Sequence, residues 1–354
     1  MVNTNFWQNK RVLVTGHTGF KGGWLCLLLK ALGARVGGLS LQVEADAPLF
    51  VQAGLAEQMT HALGDIRQPE TLNSAVTDFQ PEVIFHLAAQ SLVSEGYASP
   101  VDTFHTNVDG TMYLLESVRQ HLKDPATVVV VTSDKCYLNP ETPHAFVESD
   151  PLGGHDPYSA SKAMAEIVTA AYRQSFLQAQ GHQVSTARAG NVIGAGDCSQ
   201  NRLVPDIFRA YEQRETLVLR YPEATRPWQH ILDALYGYLL LAEHSATTPS
   251  LAGAFNFGPP AEAAITVESL CQHIRAHIVA QGETNALQWR YDTAEKPHES
   301  GFLQIDAGRA HEHLHWQPQL NLADTLQWTV AGYLAQDLPA LVQSQIQRYL
   351  EKIT

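Results

Sequence analysis

The chain contains little cysteine, and no two of its cysteines form a C-x-x-C pair; the four are Cys26, Cys136, Cys198 and Cys271. Isolated thiols of this kind argue against a disulfide framework and a zinc knuckle, and they are typical of a reducing compartment. The sequence also lacks an apolar run of about 18 residues, the minimum for a membrane-spanning helix. Its polar N-terminus does not resemble a secretory signal. We therefore expect a soluble, cytoplasmic protein with no membrane partner.

Positive charge is scarce as well. Lys and Arg number 23 against 36 Asp and Glu, which gives a net charge of −13, and there is no long basic run. This balance argues against non-specific binding to nucleic acid, although it is compatible with a local phosphate site. Hydrophobic residues make up 45% and charged residues 17% of the 354 positions, as in a globular protein with one large domain or two.

A glycine-rich turn connects the first two strands that the pattern predicts. The β-branched run at residues 11–15 is followed by G-x-x-G-x-x-G at 16–22, an apolar helix from residue 23 to about 32, and a second strand at 35–39. Glycines permit a tight turn and a close backbone approach, and a helix N-terminus attracts a pyrophosphate. This order predicts a dinucleotide site. The alternative is a plain strand-to-helix turn, since the commonest spacing is G-x-G-x-x-G.

Tyr158 and Lys162 form the second informative pattern. Positions i and i+4 of a helix share one face, and a nearby ammonium lowers the pKa of a phenol so that it can act as a base. Behind a dinucleotide-binding turn, the pair indicates alcohol oxidation with a nicotinamide cofactor. Alone, such a pair also occurs by chance on a solvated helix face.

Three further strand-like runs, at residues 83–87, 128–132 and 183–188, alternate with helical patterns near 103–121 and 158–178. Nearly all-apolar strands separated by amphipathic helices predict a parallel sheet that is covered on both faces. The fold class is therefore α/β, a Rossmann-type doubly wound parallel sheet.

The strand–helix alternation weakens after about residue 190, where loops rich in Gly, Pro, Asn and Arg occur. Long irregular segments in a compact protein usually bind a ligand or cover a site. We predict an NAD-binding domain at residues 1–190, to which later segments return, and a smaller C-terminal substrate-binding lobe at 191–354.

Six motifs occur in a fixed order over roughly the first 200 residues. They are T-G-x-x-G-F-x-G at 15–22, H-L-A-A at 86–89, N-V-x-G-T at 107–111, T-S-D at 132–134, Y-x-x-x-K at 158–162 and R-x-x-N-V-x-G at 188–194. Three more specific segments are G-H-T-G-F-K-G at 16–22, T-S-D-K at 132–135 and R-P-W-Q-H at 226–230. The ordered set resembles the extended short-chain dehydrogenase/reductase family, and the three segments resemble the nucleotide-sugar 4,6-dehydratases within it.

The resemblance implies a reaction in which Tyr158 removes the C4 hydroxyl proton of the sugar while hydride passes to NAD. Water then leaves from C5 and C6, and the hydride returns to C6. Ser133 would hydrogen-bond the C4 oxygen, and Lys162 would lower the pKa of Tyr158 and bind the nicotinamide ribose. Asp134 would be the acid that expels the C6 hydroxyl, which an epimerase or reductase does not need. The plainer roles are a strand-end serine for Ser133 and a capping aspartate for Asp134.

Lys135 departs from the pattern of the dTDP-glucose dehydratases, which carry a glutamate there as the base for the C5 proton. An ammonium cannot accept a proton. Lys135 is therefore either deprotonated through desolvation, or it stabilises the enolate oxygen while another group takes the proton. The sequence leaves both roles open.

The cofactor site also departs from the common pattern, because Leu39-Ser40-Leu41 stands where many NAD enzymes carry an acidic ribose clamp. This leaves NADP conceivable, but internal recycling of the hydride favours NAD, bound loosely. His17 and Lys21 would add positive charge, or would simply be solvent-exposed, and Asp65 would contact the adenine edge. The expected cofactor-binding residues are Gly16, His17, Thr18, Gly19, Phe20, Lys21, Gly22, Ser40, Asp65, Ile66, Leu87, Ala88, Ala89, Asn107, Tyr158 and Lys162.

The expected substrate is a nucleotide sugar, CDP-glucose by resemblance alone. Positive side chains should meet its diphosphate, since arginine offers a planar bidentate fork. The candidate substrate-binding residues are Asn191, Arg202, Arg226, His298 and Glu299, whereas Arg188 is a candidate for a structural role at its strand end.

Other features complete the expectations. The H-x-H-x-H run at residues 311–315 does not favour a metal, since no cysteine and no second shell accompany it. The helices near 103–121 and 158–178 would form a homodimer interface, with a tetramer as the alternative. The implied pathway is deoxysugar synthesis for a surface polysaccharide such as the O-antigen of lipopolysaccharide. Rival functions are a nucleotide-sugar epimerase or 4-reductase, a non-catalytic NAD(P) sensor, and a structural oligomerisation protein.

Overall fold

A seven-stranded, fully parallel sheet forms the centre of the protein. The computed structural model describes residues 1–41, 43, 48–260, 263–282, 287–292 and 301–354. The strands are β1 (Arg11–Thr15), β2 (Arg35–Ser40), β3 (Thr60–Leu63), β4 (Val83–His86), β5 (Thr127–Val131), β6 (Gln183–Arg188) and β7 (Ala254–Asn256). They lie in the order β7-β6-β5-β4-β1-β2-β3. The chain leaves β1 toward one edge of the sheet and β4 toward the other, so the strand order reverses between these two strands.

Nine helices of eight or more residues occur in the described part of the chain. They are α1 (Phe20–Ala31), α2 (Pro69–Phe79), α3 (Gly110–His121), α4 (Pro157–Tyr172), α5 (Leu203–Gln213), α6 (Ile231–Thr247), α7 (Val267–Ala280), α8 (Leu322–Tyr333) and α9 (Leu338–Ile353). Shorter helices span Thr4–Trp7, Pro48–Gln52, Val93–Ala98, Pro100–Phe104 and Gly308–Leu314. Single π or 3-10 turns span Leu55–Gln58, His105–Asp109, Asp134–Cys136, Arg173–Leu177, Gln178–Gln180 and Pro249–Leu251.

Alternate residues of the strands belong to two separate cores, as expected for a sheet buried on both faces. Val12 and Val14 of β1 pack with apolar residues of α1, α6 and α9. Leu13 packs on the opposite face with residues of α2 and α3, and Val168 of α4 lies against the same core. The predicted doubly wound α/β fold is therefore confirmed.

A third core joins α5, α7 and α8, outside the central sheet. Four two-stranded pairs accompany it: Ala145–Phe146 with Gln304–Ile305, Val192–Ile193 with Gln229–His230, Thr216–Leu219 with Gln288–Tyr291, and Thr225–Pro227 with Ala264–Thr266. Strand β7 and helices α6 and α9 also come from the second half of the chain, and they pack on the central sheet. The division at residue 190 stays a prediction. No helix in the described residues is long and apolar enough to cross a membrane.

Sequence patterns missed both edge strands of the sheet. Strand β3 reads T-H-A-L and β7 has three residues, so neither carries a long apolar run that would indicate a strand. Helix α1 begins at Phe20 and not at residue 23, because Lys21 and Gly22 already adopt helical geometry. The glycine turn is therefore short, and Lys21 lies in the first turn of the helix.

Candidate active site

A cavity of about 890 Å³ lies at the carboxyl ends of the strands, between the central sheet and the segments that follow β6. The loops after β1 and β4, where the strand order reverses, both line it. In doubly wound folds, this switch point is where ligands bind. The segment at residues 189–206 and the strand Thr216–Leu219 form much of the opposite wall.

The glycine turn fits the close approach of a dinucleotide. Gly16 has a φ of +75°, and a methyl group on it would lie 2.7 Å from the backbone nitrogen of Ala88. A methyl group on Gly22 would overlap the Gly16 carbonyl oxygen. Both positions therefore exclude any larger residue, and the N-terminus of α1 faces the space that they leave. Thr18, Gly19, Phe20 and Lys21 also line the cavity, as expected.

His17 is fully buried and lies outside the cavity lining. Its Nε2 is hydrogen-bonded to Nδ1 of His61 at 2.7 Å, and its Nδ1 to Oγ of Ser40 at 3.0 Å. Burial, with a smaller contribution from His61, lowers the pKa of His17 to about 4. The expected positive charge and the solvent-exposed alternative are therefore both wrong, because the ring packs against Gly38, where a methyl group would overlap it.

Ser40 and Asp65 line the part of the cavity near β2 and β3, as expected, but both already have partners. The backbone nitrogen of Thr18 donates to Oγ of Ser40 at 3.3 Å. Arg67 donates to the Asp65 carboxylate from its Nε at 2.8 Å and from its backbone nitrogen at 2.9 Å. The Arg67 side chain is the main cause that lowers the pKa of Asp65. A contact of Asp65 with an adenine ring stays a prediction.

Asn107 is placed differently from the expectation, since it is buried behind the cavity wall. Its Oδ1 accepts from the backbone nitrogen of Gln90 at 2.8 Å, and its Nδ2 donates to the Gln90 carbonyl at 2.9 Å and to Oγ of Ser161 at 2.8 Å. Asn107 therefore holds the loop after β4 against helix α4. Ile66, Leu87, Ala88 and Ala89 do line the cavity.

The five expected catalytic residues all line the same cavity. Ser133 caps a 3-10 turn that follows β5, and its Oγ donates to Oδ1 of Asp134 at 2.9 Å. The backbone nitrogen of Lys135 donates to the same Oγ at 3.1 Å. Tyr158 and Lys162 lie on one face of α4, and Nζ of Lys162 donates to the carbonyl of Val131 at 3.2 Å.

The structure corrects the expected effect of Lys162 on the tyrosine. Burial raises the pKa of Tyr158 to about 12; a hydrogen bond with Ser133 opposes this, and the charge of Asp134 adds to it. Burial also lowers the pKa of Lys162 to about 8, against the attraction of Glu166. Because desolvation dominates both groups, the lysine does not bring the phenol near neutrality in this state. Tyr158 therefore holds its proton at neutral pH.

Asp134 is 3% exposed and is contacted by the segment that follows β6. Nδ2 of Asn191 donates to its Oδ2 at 3.3 Å. Asn191 adopts a left-handed φ of +51°, a conformation that asparagine tolerates better than most residues. The side chain expected to meet the substrate thus also contacts the expected acid.

Positive side chains gather in the cavity although the chain is acidic. Seven basic residues and five aspartates line it; the basic ones are Lys21, Arg67, Lys135, Lys162, Arg202, Arg220 and Arg226. Arg202 pairs with Asp197 at 3.2 Å and donates to Oγ of Ser91 at 2.8 Å. Arg226 is buried and donates to the Thr225 carbonyl at 3.0 Å. His298 and Glu299 lie outside the described residues.

Lys21 has a lower pKa than an ordinary lysine. Burial, together with the charges of Arg202 and Lys162, lowers its pKa to about 8. All three cations line the cavity. An anion between them would relieve their repulsion.

Sequence reasoning missed several residues of the cavity wall, among them Arg67, Gln90, Ser91, Arg220, Tyr221 and Trp228. Gln90 and Ser91 directly follow the H-L-A-A motif at the end of a strand, and Arg67 follows Asp65 by two positions. These could have been found from their place after a parallel strand. Arg220 and Tyr221 follow a strand that lies outside the sheet, and no local signal marks them.

The H-x-H-x-H run at residues 311–315 lies at the end of the short helix Gly308–Leu314 and beyond it. Among the described residues, no group of three His, Cys, Asp or Glu side chains could hold a metal ion.

Comparison with known proteins matches this architecture. The model of the family described as GDP-mannose 4,6 dehydratase matches residues 13–329. CDP-glucose 4,6-dehydratase of Salmonella typhimurium (strain LT2) is 40% identical, with 100% of each chain covered. UDP-glucose 4-epimerase of Halalkalibacterium halodurans is 26% identical, over 76% of this chain and 81% of its own.

Solved structures agree with the fold. The structure of dTDP-glucose 4,6-dehydratase from Streptomyces venezuelae with NAD bound is 25% identical and has a TM-score of 0.74, covering 90% of this chain and 95% of its own. UDP-glucose 4-epimerase of Thermus thermophilus in complex with NAD is 22% identical and has a TM-score of 0.75, covering 92% and 99%.

Proposed function

Because the chain belongs to the GDP-mannose 4,6 dehydratase family, within the extended short-chain dehydrogenases/reductases, we propose that it converts CDP-glucose to CDP-4-keto-6-deoxyglucose and water. The observation that supports this most directly is the buried carboxyl group of Asp134 in the same cavity as Tyr158 and Lys162. An alcohol oxidation needs only the last two residues. The loss of water needs an acid as well.

NAD is the cofactor, and the glycine turn and the loop after β4 provide the space for it. When bound, NAD+ supplies a hydride acceptor for C4, which later returns the hydride to C6, and a positive ring whose charge lowers the pKa of a nearby phenol. The sugar therefore loses one water with no net oxidation.

Tyr158 and Ser133 handle the C4 hydroxyl group. We assign Tyr158 the removal of its proton as the C4 hydride departs, which creates the 4-ketone. Ser133 contacts both the phenol and Asp134, so it lies where a C4 oxygen would be held. Lys162 is fixed to the end of β5, and its ammonium stabilises the phenolate that forms in this step.

Asp134 acts in the second step, in which the C5–H and C6–O bonds break and a C5=C6 double bond forms. It donates its proton to the C6 oxygen, which leaves as water. Lys135 follows it in the same 3-10 turn and lines the cavity. The C5 proton must pass to a base. We place the Lys135 ammonium at the 4-keto oxygen, where a positive charge stabilises the enolate while another group in the cavity takes the C5 proton. In the alternative, Lys135 is a neutral amine and takes this proton itself.

The diphosphate of the substrate would be bound by Arg202 and Arg226, which approach the cavity from different segments. Arg202 is held by Asp197 and Ser91, and a buried Arg226 is held by backbone carbonyls. Side chains fixed in this way lose little conformational entropy when an anion binds. We assign cytosine as the base of the nucleotide because of the similarity to the Salmonella enzyme.

A cytoplasmic homodimer is the proposed assembly. Three large apolar side chains of α4 and the π turn that follows it are exposed, Met164 by 43%, Ile167 by 57% and Phe176 by 47%. A twofold contact would cover them on both copies. Light scattering should give a mass of two chains, and a mass of four chains would indicate a tetramer. The proposed product serves deoxysugar synthesis, such as that of the O-antigen.

The test incubates the purified protein with NAD+ and, in separate reactions, with the CDP, dTDP, GDP and UDP esters of glucose. Mass spectrometry follows the loss of one water from each sugar. Loss from CDP-glucose alone supports the proposal in full. Loss from another ester alone keeps the reaction and overturns the substrate. No loss from any ester contradicts the dehydratase and points to the epimerase or the NAD(P) sensor.

A further inference from the structure

The segment at residues 190–191 lies directly against the Asp134 carboxyl group. A methyl group on Gly190 would overlap all three heavy atoms of that carboxyl group. Asn191 donates its Nδ2 to Oδ2 from the next position. The carboxyl group therefore has a place only because residue 190 has no side chain, and its second oxygen is oriented by residue 191.

Gln229 holds this segment in place from behind. Its Nε2 donates to the Gly190 carbonyl at 3.2 Å and to the Phe257 carbonyl at 2.8 Å, and its backbone nitrogen donates to the Asn191 carbonyl at 3.3 Å. The residue is 1% exposed. It begins the strand Gln229–His230, which pairs with Val192–Ile193. One buried amide thus ties the segment beside the acid to the end of the central sheet.

We propose that Gly190 and Gln229 are positioning residues for the loss of water. Gln229 fixes the peptide at residues 190–191, and this peptide holds the carboxyl group of Asp134 at the cavity surface. The inference rests on the proposed dehydratase function and adds to it two residues that act through Asp134. It also gives a role to the R-P-W-Q-H motif, whose fourth member is Gln229.

The rate of water loss depends on the position of the Asp134 carboxyl group. An acid must come within about 2.6–3.2 Å of the atom that it protonates, and a displacement of about 1 Å costs roughly 100-fold in rate. A side chain on Gly190 forces such a displacement, since it needs the volume that the carboxyl group fills. Tyr158 and Lys162 lie on α4, a different element. The first oxidation should therefore be affected much less than the loss of water.

The experiment measures both steps in a single turnover with NAD+ and CDP-glucose. Absorbance follows the reduced nicotinamide, and mass spectrometry follows the loss of water. For Gly190→Ala, we expect water loss to slow by about 100-fold while reduced nicotinamide forms at close to the wild-type rate and accumulates. Gln229→Met, which removes both amide bonds, should act in the same direction by about 10-fold.

Two controls separate this role from a structural one. Gly37→Ala introduces a clash in the core, with Phe79 at 2.9 Å, and should lower thermal stability without changing the ratio of the two steps. In an Asp134→Ala background, the carboxyl group is gone, so Gly190→Ala should slow water loss no further.

The proposal is overturned if Gly190→Ala and Gln229→Met slow both steps in proportion, or if Gly190→Ala slows Asp134→Ala further. If Gly190→Ala does not fold, the ratio measured for Gln229→Met decides. Failure of the wild-type protein to release water is a different result, which overturns the proposed function instead.

Discussion

Glu166 and Arg188 form an ion pair of 2.8 Å in which both side chains are almost completely buried, at 3% and 4% exposure. Glu166 lies on α4 at a spacing of four from Lys162, which lies four from Tyr158, so the three share one helix face. Arg188 ends β6 and also donates to the Tyr137 hydroxyl at 2.8 Å. The pair therefore fixes the helix that carries Tyr158 to the sheet beneath the cavity.

Glu166→Gln should lower the free energy of unfolding by about 3–5 kcal/mol, because it leaves the buried Arg188 cation without a counter-charge. Urea unfolding followed by circular dichroism measures this. The double variant Glu166→Gln/Arg188→Met removes both charges and should recover part of the loss. A loss below about 1 kcal/mol for the single variant, the range of exposed pairs, would show that the pair does not anchor the helix.

Tyr158→Phe should lower the rate of water loss by about 10²–10⁴-fold, the usual contribution of a general base. NAD+ binding should change little, because the phenol oxygen is the only group removed. Reduced nicotinamide should not accumulate, since the variant fails at the first step. Tyr172→Phe, a change of the same kind at the half-buried last residue of α4, is the matched control. Unchanged turnover by Tyr158→Phe would remove this residue from the mechanism.

Lys135→Ala should reduce the elimination more than the first oxidation. The ammonium is assigned to the enolate that forms after the ketone, so its loss should leave reduced nicotinamide together with the sugar ketone. Rapid quenching and mass spectrometry detect this mixture. Lys135→Arg tells the two open roles apart, because arginine keeps the charge but cannot act as a base. Dehydration by Lys135→Ala at the wild-type rate would contradict both roles, the stabilisation of the enolate and the removal of the C5 proton.

Glu243 should make stability depend on pH. It is buried beside Trp7 and the backbone nitrogen of Asn3, and burial raises its pKa to about 7. The pKa of Glu243 in the folded protein lies above its unfolded value of about 4.3. The stability that this group contributes is therefore fully present below about pH 4.3 and is lost as the pH rises through 7. Between about pH 5 and about pH 8, the free energy of unfolding of Glu243→Gln should rise by about 1–3 kcal/mol relative to that of the wild type.

Asp233, whose pKa is raised to about 6 by burial, titrates in both proteins and cancels in that comparison. Thermal unfolding at several pH values measures the difference. A constant difference between Glu243→Gln and the wild type would show that Glu243 ionises normally in the folded protein.

Local patterns were sufficient for the inner strands of the sheet and for the pairing of Tyr158 with Lys162. Strands β1, β4 and β5 are nearly continuous apolar runs, and their periodicity needs no information from distant residues. Tyr158 and Lys162 share a face through helix geometry alone. Ser133 and Asp134 were identified from the resemblance of the T-S-D motif to the family, and both lie directly after a strand of the parallel sheet.

Distant packing decided what the sequence could not show. His17 is neutral because it is buried against His61 and Gly38, both far from it in sequence. Asn107 is turned away from the cavity by its bonds to Gln90 and Ser161. The fit of Gly190 likewise depends on Asp134, which is far from it in sequence. No local pattern therefore marks these three roles.

The pKa of Tyr158 is another property that depends on distant packing. Spacing predicted a lysine that lowers the pKa of the phenol, whereas burial, the largest cause, raises it. Desolvation depends on the completed fold, and a sequence pattern does not contain it.

The most direct test of the proposed mechanism uses CDP-glucose that carries deuterium at C4, incubated with the protein and NAD+ in ordinary water. We expect a product that has lost one water and carries the deuterium in its C6 methyl group, because the hydride leaves C4 and returns to the same sugar. Product without deuterium at C6, or recovery of the sugar with no water lost, would contradict it.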